Sequence, residues 1–398
     1  MKSFDSKSFS LALLLMGAPI NYYLNTILQL GFGLPTISML SYGLMAIVGA
    51  YSYRYFSMLN RTGLIIFIIL LVGFPIAGLL GGFDMLVAPD FNPLDSPLLL
   101  VFLYCFPLYI LTSSISDFSK ALDFLYYFAI FNIVLFIPGY YYSQLSLSAL
   151  RVDYMSISYN ALIAICVCLG VSWDKKKWLP AILTIVSILL LIVVGSRGAS
   201  LSVLVYIAML LLTKLLGGER KRVFVALAVF VVAVLAFGSY YYNEVASLID
   251  SGELYSRNLA KLDDSSFFSH DDRDEIKAVI ERGIDKTPFG YGILGDRIIM
   301  KNEHYEGVYA HNLLLELRSD FGILLGPVIF LLLLVKMFLA FRRLDGTRKD
   351  FLVMLIPAGF LKLLFSGSFL IEPAFYCLLA LIFGKESKWK NKLLSQKS

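Results

Sequence analysis

The chain has 398 residues, of which 58% are hydrophobic and 16% are charged, and its formal net charge at pH 7 is +5. This composition predicts a polytopic membrane protein. The positive charge lies beside apolar runs and forms no separate basic, aromatic-rich surface, which excludes a nucleic-acid-binding role. All four cysteines fall within apolar runs, so the sequence predicts neither a disulfide framework nor a cysteine metal site.

Apolar runs of roughly 20 residues recur along the chain, and such a run is long enough to cross the ~30 Å hydrocarbon layer as a helix. We therefore predict one all-α membrane domain over residues 1–398, with about twelve spans. Pro19, Asn21 and Asn25 interrupt the first run, for which a cleaved signal peptide is the alternative, although no convincing cleavage site follows it. The runs are 8–25, 34–53, 63–83, 97–114, 121–139, 155–172, 178–195, 199–216, 222–241, 319–341, 351–368 and 370–384.

The distribution of Lys and Arg between the loops predicts the orientation, because cytoplasmic loops are enriched in both residues. The short outer connections hold only Arg151 and Arg197. Both termini are therefore predicted to be cytoplasmic, and the long polar stretch at 241–311 is predicted to lie outside. The alternate loops hold the other basic residues, namely Arg54, Arg61, Lys120, Lys175, Lys176, Lys177, Arg220, Lys221, Arg222, Arg342, Arg343, Arg348 and Lys349, before a tail with five more lysines.

The outer stretch at 241–311 carries eight Lys or Arg, fourteen Asp or Glu and all three histidines of the chain. Within it, Ser269-His270-Asp271-Asp272 has the form of a capping box, which predicts a short amphipathic helix over residues 271–282.

Arg273 falls on the apolar face of that predicted helix, together with Ile276, Val279 and Ile280. Two interpretations are open. In the first, Arg273 snorkels at the rim or pairs with a neighbouring acid such as Asp274. Alternatively, the helix lies on the membrane surface and points Arg273 at an anion in an interfacial cavity.

A second basic residue, Arg197, lies in the connection Gly195-Ser196-Arg197-Gly198-Ala199 between two long apolar runs. The connection is so short that Arg197 must stand at or just below the outer membrane surface, where ionisable residues usually face a cavity or a partner. Its planar guanidinium suits phosphate, and the neighbouring Gly and Ser let backbone approach a ligand. A snorkelling anchor is the alternative.

His311 stands at the entrance to the apolar run at 319–341. A lone histidine is more often a hydrogen-bonded structural residue than a catalyst, but an unperturbed histidine pKa of about 6.5 suits a general base at neutral pH. His270 and His304 lie in polar contexts typical of solvated residues, and the three histidines show no metal-ligand spacing.

Short motifs between residues 195 and 326 follow one another in an informative order. They are Gly195-Ser196-Arg197-Gly198-Ala199, Asp272-Arg273-Asp274-Glu275-Ile276, Thr287-Pro288-Phe289-Gly290-Tyr291-Gly292, Ala310-His311-Asn312 and Asp320-Phe321-Gly322. Their order, spacing and outer placement together resemble the O-antigen polymerase and O-antigen ligase superfamily, and the topology extends this resemblance over nearly the whole chain. Asp320 departs from the family, which commonly has Glu there, and Arg318 adds a charge that does not align.

The resemblance implies a C-type glycosyltransferase fold without a nucleotide-sugar site. It implies metal-independent, inverting transfer between polyprenyl-diphosphate-linked oligosaccharides at the outer face of a bacterial cytoplasmic membrane, with no cofactor. His311 would act as the base, while Arg197 and Arg273 would neutralise the diphosphate. The implied partners are the lipid-linked donor and acceptor, the lipid bilayer, a chain-length regulator and a flippase.

Four further residues are weaker candidates for substrate binding. Asn312 belongs to the motif that contains His311, and Asp320 begins the motif that follows it. Arg151 lies in an outer connection rich in Tyr and Ser, which would either contact sugar or form an interfacial aromatic belt. Lys362 lies near the outer half of its run and would either snorkel outward or help to hold diphosphate.

Three functions remain open from the sequence. The leading one is a polymerase of lipid-linked repeat units, and the second is a ligase or transferase that moves finished glycan to lipid A-core or to protein. Sequence separates them poorly, because the acceptor is read by outer loops that follow no general code. The third is a flippase, which predicts charged residues at mid-membrane in both halves, whereas this chain concentrates its polar residues in one outer stretch.

Overall fold

The computed structural model describes residues 5–86, 96–146, 154–194, 196–221, 223–224, 272–305 and 309–384. All regular secondary structure within these ranges is helical. Seven of the described helices are long and apolar enough to cross a membrane, and two shorter apolar helices accompany them. The prediction of an all-α, multi-pass membrane protein is therefore confirmed, while the count of twelve spans stays a prediction.

Helices occupy every predicted apolar run except 222–241, nearly all of which lies outside the described residues. π-helical turns continue α1 at Ile27–Gly31 and α12 at Ile356–Leu361. In chain order, α1 to α8 are Ser6–Thr26, Ser38–Ser52, Arg61–Gly81, Pro97–Ser114, Phe118–Ser146, Tyr154–Lys175, Trp178–Val194 and Arg197–Leu216. Helices α9 to α14 are Asp272–Lys286, Gly295–Asn302, Leu313–Arg343, Gly346–Leu355, Lys362–Phe365 and Pro373–Phe383.

Helix α1 is continuous through Pro19, although its polar residues made it the least regular predicted span. The Asn25 side chain donates to Asn21 Oδ1 at 3.0 Å and to Ser38 Oγ at 2.8 Å, and its Oδ1 accepts from Ile37 N at 2.9 Å. These buried amides therefore satisfy one another and the start of α2, as polar groups at membrane depth must.

The two ends of the helix bundle have different roles. Lys7 Nζ, at the start of α1, donates to Ser114 O at the end of α4 over 3.3 Å, and Asn60 Nδ2 donates to Phe383 O at the end of α14 over 2.9 Å. The described N- and C-terminal helices therefore meet at one end, which the basic residues predict to be cytoplasmic. Helix α11 begins at the other end, where α9 and α10 pack against its first turns.

Helices α9 and α10 form the outer cap, residues 272–305. The predicted helix at 271–282 is confirmed as α9 and continues for a further turn. Its apolar residues Ile276, Val279 and Ile280 pack against α10 and the start of α11. This packing against protein removes the apolar face from water, while the position of α9 relative to the membrane surface stays a prediction.

Helix α11 is broken at Gly322, whose φ of +89° and ψ of 170° are not helical. The turn between α9 and α10 fills the break: Tyr291 N donates to Ser319 O and Gly292 N donates to Asp320 O, both at 2.9 Å. The turn therefore satisfies carbonyl groups that the kink leaves without helical partners, which is the condition for irregular backbone near membrane depth.

Glycine is required on both sides of this junction. A third hydrogen bond crosses the junction in the opposite direction, because Ile323 N of α11 donates to Pro288 O of the turn at 2.9 Å. A Cβ atom at Gly322 would lie 2.4 Å from Pro288 O, and one at Gly290, where φ is +81°, would lie 2.5 Å from Asp320 O. The motifs at 287–292 and 320–322 thus form one backbone joint between the outer cap and α11.

Candidate functional site

A pocket of about 400 Å³, here called the outer pocket, lies between α9, the first turns of α11 and the end of α13. The outer cap contributes charged side chains to it, while α11 and α13 contribute four apolar side chains and Arg318. The lining residues are Arg273, Asp274, Lys277, Glu281, Ala310, His311, Asn312, Leu314, Leu315, Arg318, Leu364 and Phe365. Residues from three separate parts of the chain therefore share one site.

His311 enters the outer pocket from a left-handed backbone position, with φ at +55°. Such a conformation is uncommon for residues other than glycine, although histidine adopts it more readily than most. The ring of Tyr309 lies 4.2 Å from the His311 ring, centroid to centroid. The peptide between Tyr309 and Ala310 is also fixed, because Ala310 N donates to Asp296 Oδ2 at 2.7 Å. The histidine is thus held by its backbone and by a ring contact.

Asn312 lines the outer pocket but also has a structural role. Its Oδ1 accepts from Leu315 N at 3.1 Å, which caps the N-terminus of α11. Its Nδ2 donates to Leu364 O at 3.2 Å, at the end of α13. Because both ends of the amide bind backbone, Asn312 fixes the floor of the pocket beside His311.

Arg273 lines the same pocket as His311. Its Nη2 atom lies 3.2 Å from Met155 Sδ, at the start of α6. A thioether is a weak acceptor without charge. This contact therefore orients the guanidinium but does not neutralise its positive charge. The structure therefore joins two of the three residues for which the sequence predicts catalytic roles.

Tyr159 on α6 connects the pocket to the membrane helices. Its hydroxyl oxygen lies beside Gly198 of α8, where an added Cβ atom would be 2.2 Å from it. The ammonium group of Lys362 lies 5.5 Å from the centroid of the Tyr159 ring. Tyr159 carries no motif signal in the sequence, and only the docking of these helices reveals its position.

Arg197 is exposed at the N-terminus of α8, immediately behind the pocket wall, but it is not among the lining residues. Ser196 caps the helix by accepting from Ala199 N at 3.2 Å. A Cβ atom at Gly198 would lie 2.2 Å from the Tyr159 hydroxyl oxygen and 2.7 Å from Phe365 Cβ. Glycine at position 198 lets α8 approach Tyr159 and Phe365 closely. Arg197, the preceding residue, therefore lies at the rim of the outer pocket.

Lys362 forms an ion pair with Glu372, with 2.5 Å between Nζ and Oε2. Neither interpretation of Lys362 from the sequence included this partner. An ionisable side chain within a membrane segment normally requires a partner, and Glu372 offsets the charge of Lys362. Lys362 does not line the outer pocket.

Asp320 is 2% exposed and faces the outer cap rather than the pocket. Its Oδ1 accepts from Gly295 N at 2.8 Å, at the start of α10. The nearby Glu316 accepts from Ser368 Oγ and from Phe369 N, the latter at 3.1 Å. Both carboxyl groups therefore hold neighbouring segments against α11, and Asp320 has a structural position rather than the substrate contact that the sequence allowed.

Asp296, on α10, is a third buried carboxyl group and has no exposed surface. It accepts from Ala310 N and, at 2.9 Å, from Arg297 N. Burial raises the pKa of Asp296, and the charge of Arg297 opposes this rise. Asp296 is thus a positioning residue that acts on His311 through the intervening peptide.

Two further cations of the outer pocket, Lys277 and Arg318, were not predicted as site residues. Lys277 follows Arg273 by one helical turn, so helical spacing alone would have placed both on one side of α9. Arg318 Nη1 lies 4.0 Å from Glu281 Oε1 across the pocket. Together with the positive N-terminal end of α11, these groups favour an anion in the pocket.

The remaining predicted residues fall elsewhere. Arg151 and His270 lie outside the described residues. His304 is exposed at the end of α10, with φ at +53°, and does not line the outer pocket.

No protein-family model and no curated protein matches this chain. The resemblance to the O-antigen polymerase and ligase superfamily therefore rests on the residues and motifs of the chain itself.

Proposed function

We propose that this protein is a membrane glycosyltransferase that joins polyprenyl-diphosphate-linked oligosaccharide repeat units into O-antigen, capsular or exopolysaccharide. The reaction takes place at the outer face of a bacterial cytoplasmic membrane, in a C-type glycosyltransferase-like fold of about twelve spans. One observation carries the proposal: His311 and Arg273, from two motifs far apart in sequence, line one pocket whose other wall is built from membrane helices.

The cations of the pocket suit the donor. When the bond between the anomeric carbon and the phosphate oxygen breaks, the lipid diphosphate leaves with the electron pair and gains negative charge. Arg273, Lys277 and Arg318 can stabilise that charge, and a guanidinium can bind two phosphate oxygens at once. Because the leaving group needs charge neutralisation rather than a proton, no general acid is required at this step.

His311 suits the acceptor. The acceptor hydroxyl oxygen forms the new bond to the anomeric carbon, and its proton passes to the neutral imidazole of His311, which later returns it to water. Attack opposite to the leaving diphosphate inverts the anomeric centre. A positioned general base contributes about 10²- to 10⁴-fold in rate.

The apolar wall suits the carrier. Leu364 and Phe365 bring the end of a membrane helix to the pocket, so a polyprenyl chain can remain in the bilayer while its diphosphate reaches the cations. Arg197, at the rim, is placed to contact the approaching head group rather than the reacting atoms. Both Arg197 and Arg273 are thus proposed to bind the anion, from different positions.

The test replaces His311 by alanine in cells that depend on this protein for their surface glycan. His304→Ala is the matched control, because His304 also has a left-handed backbone but is exposed outside the pocket. We expect His311→Ala to abolish the polymer ladder on a gel, with single repeat units still attached to the core, and His304→Ala to leave it unchanged.

Three other results would contradict the proposal. Loss of all attached glycan in the His311 variant would indicate a ligase, which shares the donor chemistry but not the acceptor. Normal polymer length and amount, with the protein present in the membrane, would remove His311 from catalysis. Transport of lipid-linked substrate by the purified protein without formation of a glycosidic bond would instead identify a flippase.

A further inference from the structure

A second cavity of about 820 Å³, here called the inner pocket, lies at the opposite end of the bundle. Helix α11 connects the two sites, since its first turns line the outer pocket and its last residue, Arg343, lines the inner one. The ends of α4 and α14 and the starts of α3 and α5 also contribute. Because these are ends of apolar helices, the inner pocket lies at the level of one membrane surface.

Three arginines converge on the inner pocket: Arg61, Arg343 and Arg348. Two acids, Asp117 and Asp345, also line it, so cations outnumber anions among its charged side chains. Arginine presents a planar fork of donors that matches phosphate oxygens, which a lysine ammonium does not.

Neighbouring groups orient two of these arginines. Arg343 Nη2 donates to Leu381 O at 3.2 Å. The Arg348 guanidinium lies 5.3 Å from the centroid of the Phe118 ring, within the range of a cation–π contact. Side chains held in this way lose less conformational entropy when they bind a ligand.

Helix termini strengthen the attraction for an anion. Helix α3 begins at Arg61 and α5 begins at Phe118, so the positive ends of two long helices adjoin the cavity.

We propose that the inner pocket binds the phosphate of an anionic phospholipid head group. Its position at the ends of the spans places the arginines in the layer of lipid head groups, and the basic loops predict that this layer is the cytoplasmic leaflet, which carries anionic lipids. The chain leaves the pocket at Gly384 into a tail with five lysines, which adds positive charge next to it in sequence. The site is independent of the transfer reaction at the outer pocket.

The test uses the full-length protein purified in detergent and titrated with phosphatidylglycerol, phosphatidylcholine or inorganic phosphate. A ligand that binds only the folded protein raises its thermal midpoint in a saturable way. We expect phosphatidylglycerol to do so and phosphatidylcholine to have no such effect. Inorganic phosphate alone should act only at much higher concentration, because it lacks the chains that keep a lipid at the membrane surface.

Arg343→Gln and Arg61→Gln should each weaken phosphatidylglycerol binding about tenfold or more, as expected for one lost hydrogen-bonded charge contact. Arg220→Gln is the matched control, because Arg220 follows the inner end of α8, carries the same charge and lies outside the pocket. It should leave binding unchanged. Since the readout is the shift caused by lipid, each variant serves as its own reference for any loss of basal stability.

Three outcomes would overturn the proposal. Equal shifts with phosphatidylcholine would show that the head-group charge is not recognised. Equal weakening in Arg220→Gln would show that only net charge matters. Equal stabilisation by inorganic phosphate at the same concentration would assign the site to a soluble anion instead of a lipid.

Discussion

The joint between the outer cap and α11 gives the sharpest prediction of stability. Gly322 has φ at +89° and ψ at 170°, a conformation that residues with a Cβ atom rarely adopt. Gly322→Ala would incur about 1–3 kcal/mol of backbone strain. It would also push Cβ to 2.4 Å from Pro288 O, a backbone atom that cannot rotate away. Displacing that backbone adds about 1–3 kcal/mol.

Gly218→Ala is a control without the clash. Gly218 has nearly the same φ, +90°, but no atom lies within 4 Å of the position of its added Cβ. It should therefore lose stability through strain alone. Gly322→Ala adds the clash at the joint and the further strain of its ψ of 170°, so we expect it to be less stable than Gly218→Ala by at least about 1–3 kcal/mol.

The assay is the free energy of unfolding of each purified variant in mixed micelles, obtained by denaturant titration. Polymer formation in cells should fall with Gly322→Ala as well, because the joint holds Asp320 against the start of α10. If Gly322→Ala is as stable as Gly218→Ala, the close contact between the turn at 287–292 and α11 does not exist, and the placement of the cap would be wrong.

Three further predictions concern side chains around the outer pocket. Arg273→Lys should lower kcat/KM at least about tenfold, and more than Arg197→Lys does, because Arg273 lines the pocket and a point charge replaces its fork; equal kinetic losses would contradict their different positions. Lys362→Met should reduce the free energy of unfolding by about 3 kcal/mol, because it leaves the Glu372 charge buried and unpaired. The double variant Lys362→Met with Glu372→Gln should recover most of this lost stability, and no recovery would refute the pairing. Asp296→Asn should lower kcat with little change in KM, since it loosens the peptide before His311 without touching substrate; a change in KM alone would argue against a positioning role.

The helices of the bundle could be predicted from the sequence because hydrocarbon imposes a length and a composition on each span. The continuity of α1 could not be predicted. Asn25 is acceptable there only because Asn21, Ser38 and the start of α2 supply its hydrogen bonds, and these partners become known only when the helices pack.

The site was predicted in part. His311 and Arg273 stand out in the sequence because they are polar residues beside apolar patterns, and the structure brings both to one pocket. The pairing of Lys362 with Glu372 could not be predicted from helical spacing. Helix α13 ends at Phe365, and the chain turns before it reaches Glu372. Arg318 of α11 faces Glu281 only because the outer cap docks against α11, and a single sequence carries no local pattern for that docking.

Reconstitution of the purified protein in vesicles with a lipid-linked repeat unit tests the central claim most directly. The account predicts a ladder of glycan products on a gel, in the presence of a chelator as well as in its absence, and no ladder with the His311→Ala protein. Unreacted repeat units with the folded wild-type protein, or an equal ladder from wild type and His311→Ala, would contradict it.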